Sequence, residues 1–471
     1  MTAQGREVEG GVDAQRLLVE ITDYCRSAGM AESTFGRLAV NDGKLSGRLR
    51  FGGRVTATTV ERIRAFIDAN PPGNGRLIAP AAPAVPAAAV DPGDGERNFR
   101  FFDNRQKYLM FVNTCSEKWV VAERVSMELA NIHPRPPALR LFDAGVGDGT
   151  VLSRVMRSLH HRFPNVPTYI VGKEISLEDV RLCLDKMPDR LFEHPSSVLV
   201  LTNMYYGEAP LLTPHSLTAA SSLVWEEVAL RGTTSHEFEE QITDLQPFLA
   251  EHWRAKSSLK TGNPLYERPV VLVIYREDCK FALDAVRPRR GAVRSEFDLI
   301  IASQPYRARA SVEFKAKKVL APLARHLAPG GRLIGIHSHG NDPGMEIIDR
   351  IWPGEQPFQG DRHQLLRATR QELGNAARDL NFNEYADARS LFRYSMHTLP
   401  GEISGSAIGT STLFAAWNAA VYVAQIEDQR LSEVITDRRY LDATQEVLHK
   451  HGGLWFWDES YVISRKRSAT G

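Results

Sequence analysis

Residues 139–159, LRLFDAGVGDGTVLSRVMRSL, join an apolar run, one acid and three glycines at alternate positions. The run ends at Asp143, and Gly145, Gly147 and Gly149 follow before an amphipathic pattern begins. A glycine-rich turn between a strand and a helix lets a nucleotide-like group touch backbone N–H groups directly. The D-x-G-x-G-x-G spacing differs from the G-x-G-x-x-G of dinucleotide folds. Its acid suits an ammonium group, or water near one, better than a phosphate; the alternative is a turn that serves tight packing alone.

This turn resembles the first motif of class I S-adenosylmethionine-dependent methyltransferases, and the resemblance covers roughly residues 100–465. It implies S-adenosylmethionine as the cofactor. It also implies that an acid ending the second strand holds the ribose hydroxyls, and that a polar and an apolar residue after the third strand flank the adenine. TYIVGKEIS supplies the first and SSVLVLTNMYY the other two, although an exposed acid and plain turn and core residues remain alternatives. The implied cofactor-binding residues are Asp143, Ala144, Gly145, Gly147, Gly149, Glu174, Asn203 and Met204.

The segment FDLIIASQPYRARASVEF places Ser303, Gln304, Pro305 and Tyr306 after another apolar run. SQPY resembles the fourth motif of amino-methylating members of the family, with Gln304 in place of the first of two prolines. The resemblance implies that the Ser303 hydroxyl and the Gln304 carbonyl hold the N–H groups of an acceptor nitrogen, while Tyr306 stacks on the acceptor. Positioning more than acid-base chemistry lowers such a barrier. An ordinary loop at a strand end is the alternative.

Two histidines lie in GGRLIGIHSHGNDPG, after LAPGGRL, which resembles the turn into the fifth strand of the family. His337 and His339 would then emerge at the carboxyl edge of the sheet, where open α/β sheets bind ligands. Alternation places both on one side of the strand. Either could deprotonate a hydroxyl or ammonium acceptor, and satisfied structural histidines are an equal alternative. The sequence offers no third ligand beside them, so we predict no metal.

Bulk properties agree with an ordinary enzyme. The chain has 471 residues, 43% apolar residues and a formal net charge of +1, so we expect two or three units. It offers no apolar run near the roughly 20 residues of a spanning helix and no signal peptide, which predicts a cytoplasmic protein without membrane contact. Its four cysteines lack any C-x-x-C spacing, so we expect reduced thiols.

Composition divides the chain. Residues 71–96 are rich in proline, alanine and glycine and predict a linker between a helical head, residues 1–70, and a body, residues 97–471. In the body, strand-like runs alternate with helices, which predicts an α/β fold with a mostly parallel sheet covered on both faces. The resemblance implies a Rossmann-like sheet of seven strands. The last strands expected are TLFAAWNAAVYVAQI and LWFWDESYVISRK, with an antiparallel strand at that edge.

Two insertions, at about residues 207–268 and 340–405, leave from loops near the carboxyl edge. We expect them to cover the site and select the acceptor. The segment before the first strand adds to this cover, and its aromatic residues either line the acceptor pocket or pack one helix on another.

The head resembles phage-repressor-like DNA-binding domains in AESTFGRLAVNDGKLSGRLRFGGRVTATTVERIRAFI. That helix-turn-helix likeness implies GKLSGRLR as the recognition helix and DNA as a partner. A small docking or dimerisation module with a solvated basic face is the alternative, and a homodimer is a possibility. The candidate nucleic-acid contacts are Lys44, Arg48, Arg50 and Arg54.

Together these features predict a methyltransferase that acts on a nitrogen acceptor of unknown class. Two other functions remain open. One is a regulator that senses S-adenosylmethionine and binds DNA without turnover. The other is an O-methyltransferase that uses His337 or His339 as its base.

Overall fold

The computed structural model describes residues 9–40, 42–50, 55, 57–70, 105–258, 263–398, 401–405 and 408–467. The chain separates into two compact units, Met1–Asp94 and Gly95–Gly471. The predicted linker, residues 71–96, lies outside the described residues, as does Arg54. No helix within the described ranges is both long and apolar enough to cross a membrane.

Helices make up the described elements of the first unit: α1 (Glu9–Ser27), α2 (Glu32–Val40), α3 (Leu45–Arg50) and α4 (Ala57–Ala69). Their core is aromatic. The Phe35 ring packs edge-on against Phe66 with centroids 5.3 Å apart, and Tyr24 packs against both. The Tyr24 hydroxyl donates a hydrogen bond of 2.7 Å to the Asn70 carbonyl, which fixes the end of α4 to α1.

The second unit alternates strands and helices. Its strands are β1 (Leu139–Asp143), β2 (Thr168–Lys173), β3 (Ser197–Thr202), β4 (Val224–Leu230), β5 (Ala255–Ser257), β6 (Pro264–Tyr266), β7 (Val270–Arg276), β8 (Phe297–Ser303), β9 (Leu327–Ser338), β10 (Leu380–Asn383), β11 (Leu391–Ser395) and β12 (Trp455–Arg465). Its helices are α5 (Arg105–Thr114), α6 (Glu117–Ser126), α7 (Thr150–Arg162), α8 (Leu177–Leu184), α9 (Met187–Glu193), α10 (Leu217–Ser221), α11 (Ser235–Thr243), α12 (Gln246–His252), α13 (Val312–Lys315), α14 (Ala321–Ala324), α15 (Pro343–Ile351), α16 (Arg362–Leu373), α17 (Asp387–Ser390), α18 (Thr410–Val423), α19 (Asp428–Val434) and α20 (Arg439–His451).

One large sheet organises this unit. Its strand order is β10-β12-β9-β8-β1-β2-β3-β7-β4, and β11 pairs with β12 as the tenth strand. Strands β3, β2, β1, β8 and β9 are mutually parallel, and β12 is antiparallel to both β9 and β10. The predicted α/β class, the mostly parallel sheet and the antiparallel strand near one edge are therefore confirmed.

The predicted count of seven strands is wrong. The insertion after β3 contributes to the sheet, because its strand β4 pairs in parallel with β7, and β7 pairs antiparallel with β3. Strand β7 is buried along its whole length, VVLVIYR. Strands β3 and β4 pair with its backbone on either side, and two hydrophobic core clusters bury its two faces.

The predicted strand at residues 412–426 is also wrong, because this segment forms α18. Four of the fourteen residues of the helix are alanine, the strongest helix former. The helix packs against α5, α15 and α20. A helix buried on most sides has no polar face, so it lacks the amphipathic period that marks helices at a surface.

The sheet brings several loops to one edge. Register pairs Asp143 of β1 with Gly172 of β2 and with Ile301 of β8, so parallel neighbours end together. Helices α6 to α9 cover one face of the sheet, and α14 with α16 covers the other. Loops after β1, β2, β8 and β9 are thereby fixed next to one another at the carboxyl edge.

Candidate cofactor and acceptor site

The three glycines of the turn after β1 meet different surroundings. Gly149 is left-handed, with φ 78°, and a Cβ there would lie 2.7 Å from the Cα of Cys183. Gly147 is also left-handed, with φ 54°, and a Cβ would lie 3.3 Å from the Tyr108 hydroxyl. Gly145 has no left-handed φ, and the nearest atom to its missing Cβ is the Ser303 carbonyl oxygen at 4.0 Å. Protein packing thus explains Gly149 and leaves open space over Gly145.

Glu174 closes the turn from the end of β2. Its Oε2 accepts a hydrogen bond of 2.9 Å from the Gly147 N–H, and its Oε1 accepts bonds from the N–H groups of Ile175 and Ser176. The side chain is partly exposed. Each carboxylate oxygen can accept two hydrogen bonds, so Glu174 keeps capacity for ligand hydroxyls.

Carboxylates crowd this turn. Asp143 is buried, and burial together with the Glu174 charge raises its pKa to about 7, although the Gly145 N–H opposes the shift. Burial and the same Glu174 charge raise the pKa of Asp179 to about 7. Asp148 is buried as well, near the Tyr108 hydroxyl. The acids of this cluster are Asp143, Asp148, Glu174 and Asp179.

Two ammonium groups face the acids. Lys186 lies 3.5 Å from the Asp148 carboxylate. Lys118 of α6 lies 3.3 Å from Glu117. Burial disfavours its charge, but Glu117 and, further off, Asp148 raise the pKa of Lys118 overall. Lys118 therefore stays charged at pH 7 and offsets part of the negative charge around the turn.

Asn203 and Met204 serve the sheet. The Asn203 amide donates to the Arg268 carbonyl and accepts from the Val270 N–H, both at 2.8 Å, which ties β3 to the start of β7. Met204 is fully buried in the core. Their role beside an adenine stays a prediction.

The loop after β8 lies against the turn. Gln304 adopts φ 47°, a left-handed conformation that costs a residue with a Cβ roughly 1–2 kcal/mol. Its N–H donates to the Ile336 carbonyl at 2.9 Å, and its side-chain amide donates to the Ser338 hydroxyl at 3.0 Å. Within the described residues, neither the Ser303 hydroxyl nor the Gln304 carbonyl has a hydrogen-bond partner. Both oxygens can therefore accept a hydrogen bond from a ligand.

Pro305 and Tyr306 face inward. The Pro305 carbonyl accepts a hydrogen bond of 2.6 Å from the hydroxyl of Tyr206, a residue of the loop after β3. Tyr306 is buried, and its hydroxyl lies 3.0 Å from that of Tyr461. The Lys315 ammonium lies 4.9 Å from the centre of the Tyr306 ring. Tyr306 is thus part of the core below the loop, and its stacking on an acceptor stays a prediction.

The two histidines share one carboxylate, Glu459 of β12. His337 Nε2 lies 3.0 Å from Glu459 Oε2, and His339 Nδ1 lies 3.9 Å from Oε1. Arg362 binds the same carboxylate through its backbone N–H and its guanidinium. Although burial opposes it, the His337 and Arg362 hydrogen bonds lower the pKa of Glu459 to about 2.

These contacts give the two histidines different environments. Burial lowers the pKa of His337, and its Nε2 is engaged by Glu459. The His339 side chain is 32% exposed. Only His339 of the two can meet a substrate at the sheet edge, while His337 joins β9 to β12.

Sequence patterns missed several residues of this region. Tyr206 lies two residues after Met204, so its position after a strand end was a usable signal. Lys118 gave no such signal, because Asp148, the acid of the turn that it faces, lies 30 residues further along the chain (148 minus 118). Glu459 gave none either, because Arg362 lies 97 residues away. Trp253 of the first insertion is another example: its indole N–H donates to the Glu174 carbonyl at 3.0 Å.

The basic residues of the head are partly neutralised within the head itself. Arg48 lies 2.8 Å from the Asp42 carboxylate, and Arg50 binds both oxygens of Glu32. Lys44 is exposed. Contacts of the head with nucleic acid stay a prediction.

Comparison with known proteins gives weak likenesses. No protein-family model matches the sequence, and no curated protein is significantly similar to it. One similar solved structure is geranyl diphosphate methyltransferase in complex with GPP and sinefungin, with 11% identity, 73% of this chain and 78% of that chain covered, and a TM-score of 0.28. Another is PKMT2 from Rickettsia typhi in complex with AdoHcy, with 11% identity, 74% of this chain and 52% of that chain covered, and a TM-score of 0.26. A third is an S-adenosylmethionine-dependent methyltransferase from Clostridium acetobutylicum, with 11% identity, 78% of this chain and 98% of that chain covered, and a TM-score of 0.23. At these scores the likenesses carry no argument for a ligand or an activity.

Proposed function

We propose that this protein is an S-adenosylmethionine-dependent methyltransferase that acts on a nitrogen acceptor. The observation that carries the proposal is the open space over Gly145, bounded by the Ser303 carbonyl and flanked by Glu174. A ligand in that space touches both the turn after β1 and the loop after β8. S-adenosylmethionine supplies a methyl group on a sulfonium, which a nucleophile can accept.

Charge favours this ligand over a dinucleotide. Within the described residues around the turn, the carboxylates of Asp143, Asp148, Glu174 and Asp179 lie near the ammonium groups of Lys118, Lys173 and Lys186, and Asp143 and Asp179 are about half ionised at pH 7. The charges of the whole region nearly balance, but the carboxylates of the turn itself, Asp143 and Glu174, attract ammonium and sulfonium groups and repel a pyrophosphate. Glu174 additionally offers acceptor oxygens for ribose hydroxyls.

The loop after β8 supports a nitrogen acceptor. The Ser303 hydroxyl and the Gln304 carbonyl are neighbouring oxygens that can accept the N–H groups of one substrate nitrogen. Holding that nitrogen orients its lone pair and lowers the barrier by positioning. Tyr206 fixes the loop through the Pro305 carbonyl.

Two measurements test the proposal. Calorimetry should detect binding of S-adenosylmethionine and S-adenosylhomocysteine and no binding of NAD. Incubation with radiolabelled S-adenosylmethionine and separate nucleic-acid, protein and metabolite fractions should then label one fraction. NAD binding in place of S-adenosylmethionine would overturn the proposal at the level of the cofactor. Cofactor binding without labelling of any fraction would support the DNA-binding sensor instead.

O-methylation is a second candidate, favoured by the partial exposure of His339 beside Glu459. A base at that position could take a proton from a hydroxyl acceptor. Loss of turnover in His339→Ala, with Ser303→Ala still active, would support it.

A further inference from the structure

A cavity lies at the edge of the sheet where β1 and β2 begin, opposite the carboxyl edge that carries the proposed cofactor site. It has a volume of about 170 Å³. For comparison, a cavity of about 150 Å³ can hold benzene. Its floor comes from the register partners Arg140 and Tyr169, and its wall from the loop before β8. We call it the arginine cavity; its charged and hydroxyl-bearing lining residues are Arg140, Tyr169, Asp284, Arg287, Arg289 and Arg294.

Two of the four arginines that line the cavity already form ion pairs. Arg287 binds Glu227 and Asp284, and Arg289 binds both oxygens of Asp284. These ion pairs hold the wall of the cavity in place. They leave two further arginines to account for.

Arg140 and Arg294 are those two. Within the part of the chain that the structure describes, neither guanidinium has an ion pair or a hydrogen bond. Asp298 binds the backbone N–H of Arg140 at 2.8 Å rather than its side chain. Burial and the nearby charge of Arg294 lower the pKa of Arg140, while the charges of Asp298 and Glu296 oppose the shift, so Arg140 lies close to a second cation as well as to these two acids. Two unpaired cations in one concave site suit a ligand with two negative charges.

Two buried donors also lack partners. The Tyr169 hydroxyl and the Arg287 Nε are buried and make no hydrogen bond with the described residues. Tyr169 itself is 3% exposed and lines the cavity. Buried donors are nearly always satisfied by protein, water or a ligand. Both atoms are sealed beneath the lining, where a water-sized oxygen does not reach them in this structure. The guanidinium groups of Arg140 and Arg294 are therefore the groups that an anion in the cavity can contact.

We propose that the arginine cavity binds the dianionic phosphate of a small phosphomonoester. Arginine binds two phosphate oxygens at once through paired N–H groups. A carboxylate can be bound in the same way, but it carries half the charge of the phosphate dianion. A nucleic-acid backbone fits less well, since each of its phosphates carries only one charge. The site is separate from the proposed cofactor site: Arg140 lies about 10 Å from Asp143 along β1.

Titration of the full chain with inorganic phosphate tests this proposal. At a pH of about 8, where the dianion predominates, calorimetry should detect binding that persists with saturating S-adenosylmethionine. Arg140→Gln and Arg294→Gln should each weaken it about 10-fold, the effect of one lost hydrogen bond to a charged group. Arg367→Gln is the matched control, because Arg367 is exposed and does not line the cavity.

Thermal unfolding keeps the test independent of folding defects. Without phosphate, the melting temperature of Arg140→Gln measures the effect of the change on the fold itself, because it removes both the repulsion by Arg294 and the attraction of Asp298 and Glu296. With phosphate, its melting temperature should rise less than that of the wild type. Absence of phosphate binding to the wild type, or equal effects of Arg140→Gln and Arg367→Gln, would overturn the proposal. So would a loss of duplex-DNA binding in Arg140→Gln with phosphate binding unchanged, which would make this surface a nucleic-acid contact.

Discussion

Adding one methyl group at Gly145 or at Gly149 should show which glycine of the turn contacts a ligand and which one only packs against protein. In Gly145→Ala the new Cβ meets no protein atom closer than 4.0 Å. Since the backbone there is not left-handed, the change should leave the free energy of unfolding unchanged or raise it by about 0.4–1 kcal/mol. In Gly149→Ala the Cβ meets the Cα of Cys183 at 2.7 Å with φ at 78°. Strain and overpacking together should lower the free energy of unfolding by about 2–5 kcal/mol.

Ligand binding should be sensitive to the change at Gly145, the position where stability is not. If S-adenosylmethionine contacts the backbone over Gly145, the extra methyl group costs about 1–3 kcal/mol, or roughly 5- to 150-fold in affinity. Calorimetry with S-adenosylmethionine measures the affinity, and scanning fluorimetry measures stability. Gly47→Ala, in an open position of the head, is the control for both. Wild-type affinity in a stable Gly145→Ala protein would refute the reasoning, because no ligand would then occupy the space over this glycine.

Three further changes probe the rest of the site. Asp143→Asn should stabilise the ligand-free protein above pH 7: burial raises the pKa of Asp143 to about 7, so its contribution to stability is present at low pH and lost as pH rises through 7. It should also weaken S-adenosylmethionine binding, and unfolding curves at pH 5 and 8 that match those of the wild type would contradict this account. Ser303→Ala should lower kcat about 10- to 100-fold with the cofactor Kd unchanged, as measured with the labelled fraction, while an unchanged kcat would remove the hydroxyl from the reaction. Tyr206→Phe should lower kcat about 2- to 12-fold by freeing the Pro305 carbonyl, with cofactor affinity intact, and a weaker cofactor affinity at full kcat would assign Tyr206 to the ligand instead.

Patterns of neighbouring residues in the sequence predicted where four strands of the sheet end. The ends of β1, β2, β8 and β9 follow from apolar runs that stop at a polar residue or glycine. Parallel pairing then places those ends at one edge. Each of these inferences needs only the alternation of strands and helices. The pairing of β1 with β8, which brings Gly145 to the loop at Ser303, joins residues that lie far apart in the chain and was found only in the structure.

The failures share a physical cause. Helix α18 was predicted as a strand because it is buried on most sides and therefore shows no helical period. The pairing of β4 and β7 at the sheet edge depends on contacts between distant residues, which no local pattern carries. The Glu459 network is similar: its bond to Arg362 spans 97 residues.

The backbone conformation of Gln304 differs from the one that the family motif requires. The family pattern places a proline at this position, but a pyrrolidine ring fixes φ near −65° and removes the N–H. Here φ is 47°, and the N–H is bonded to Ile336. Gln304→Pro, which would restore the family's residue, should therefore reshape this loop rather than rigidify it. Glutamine at this position is therefore part of the conformation of the loop itself.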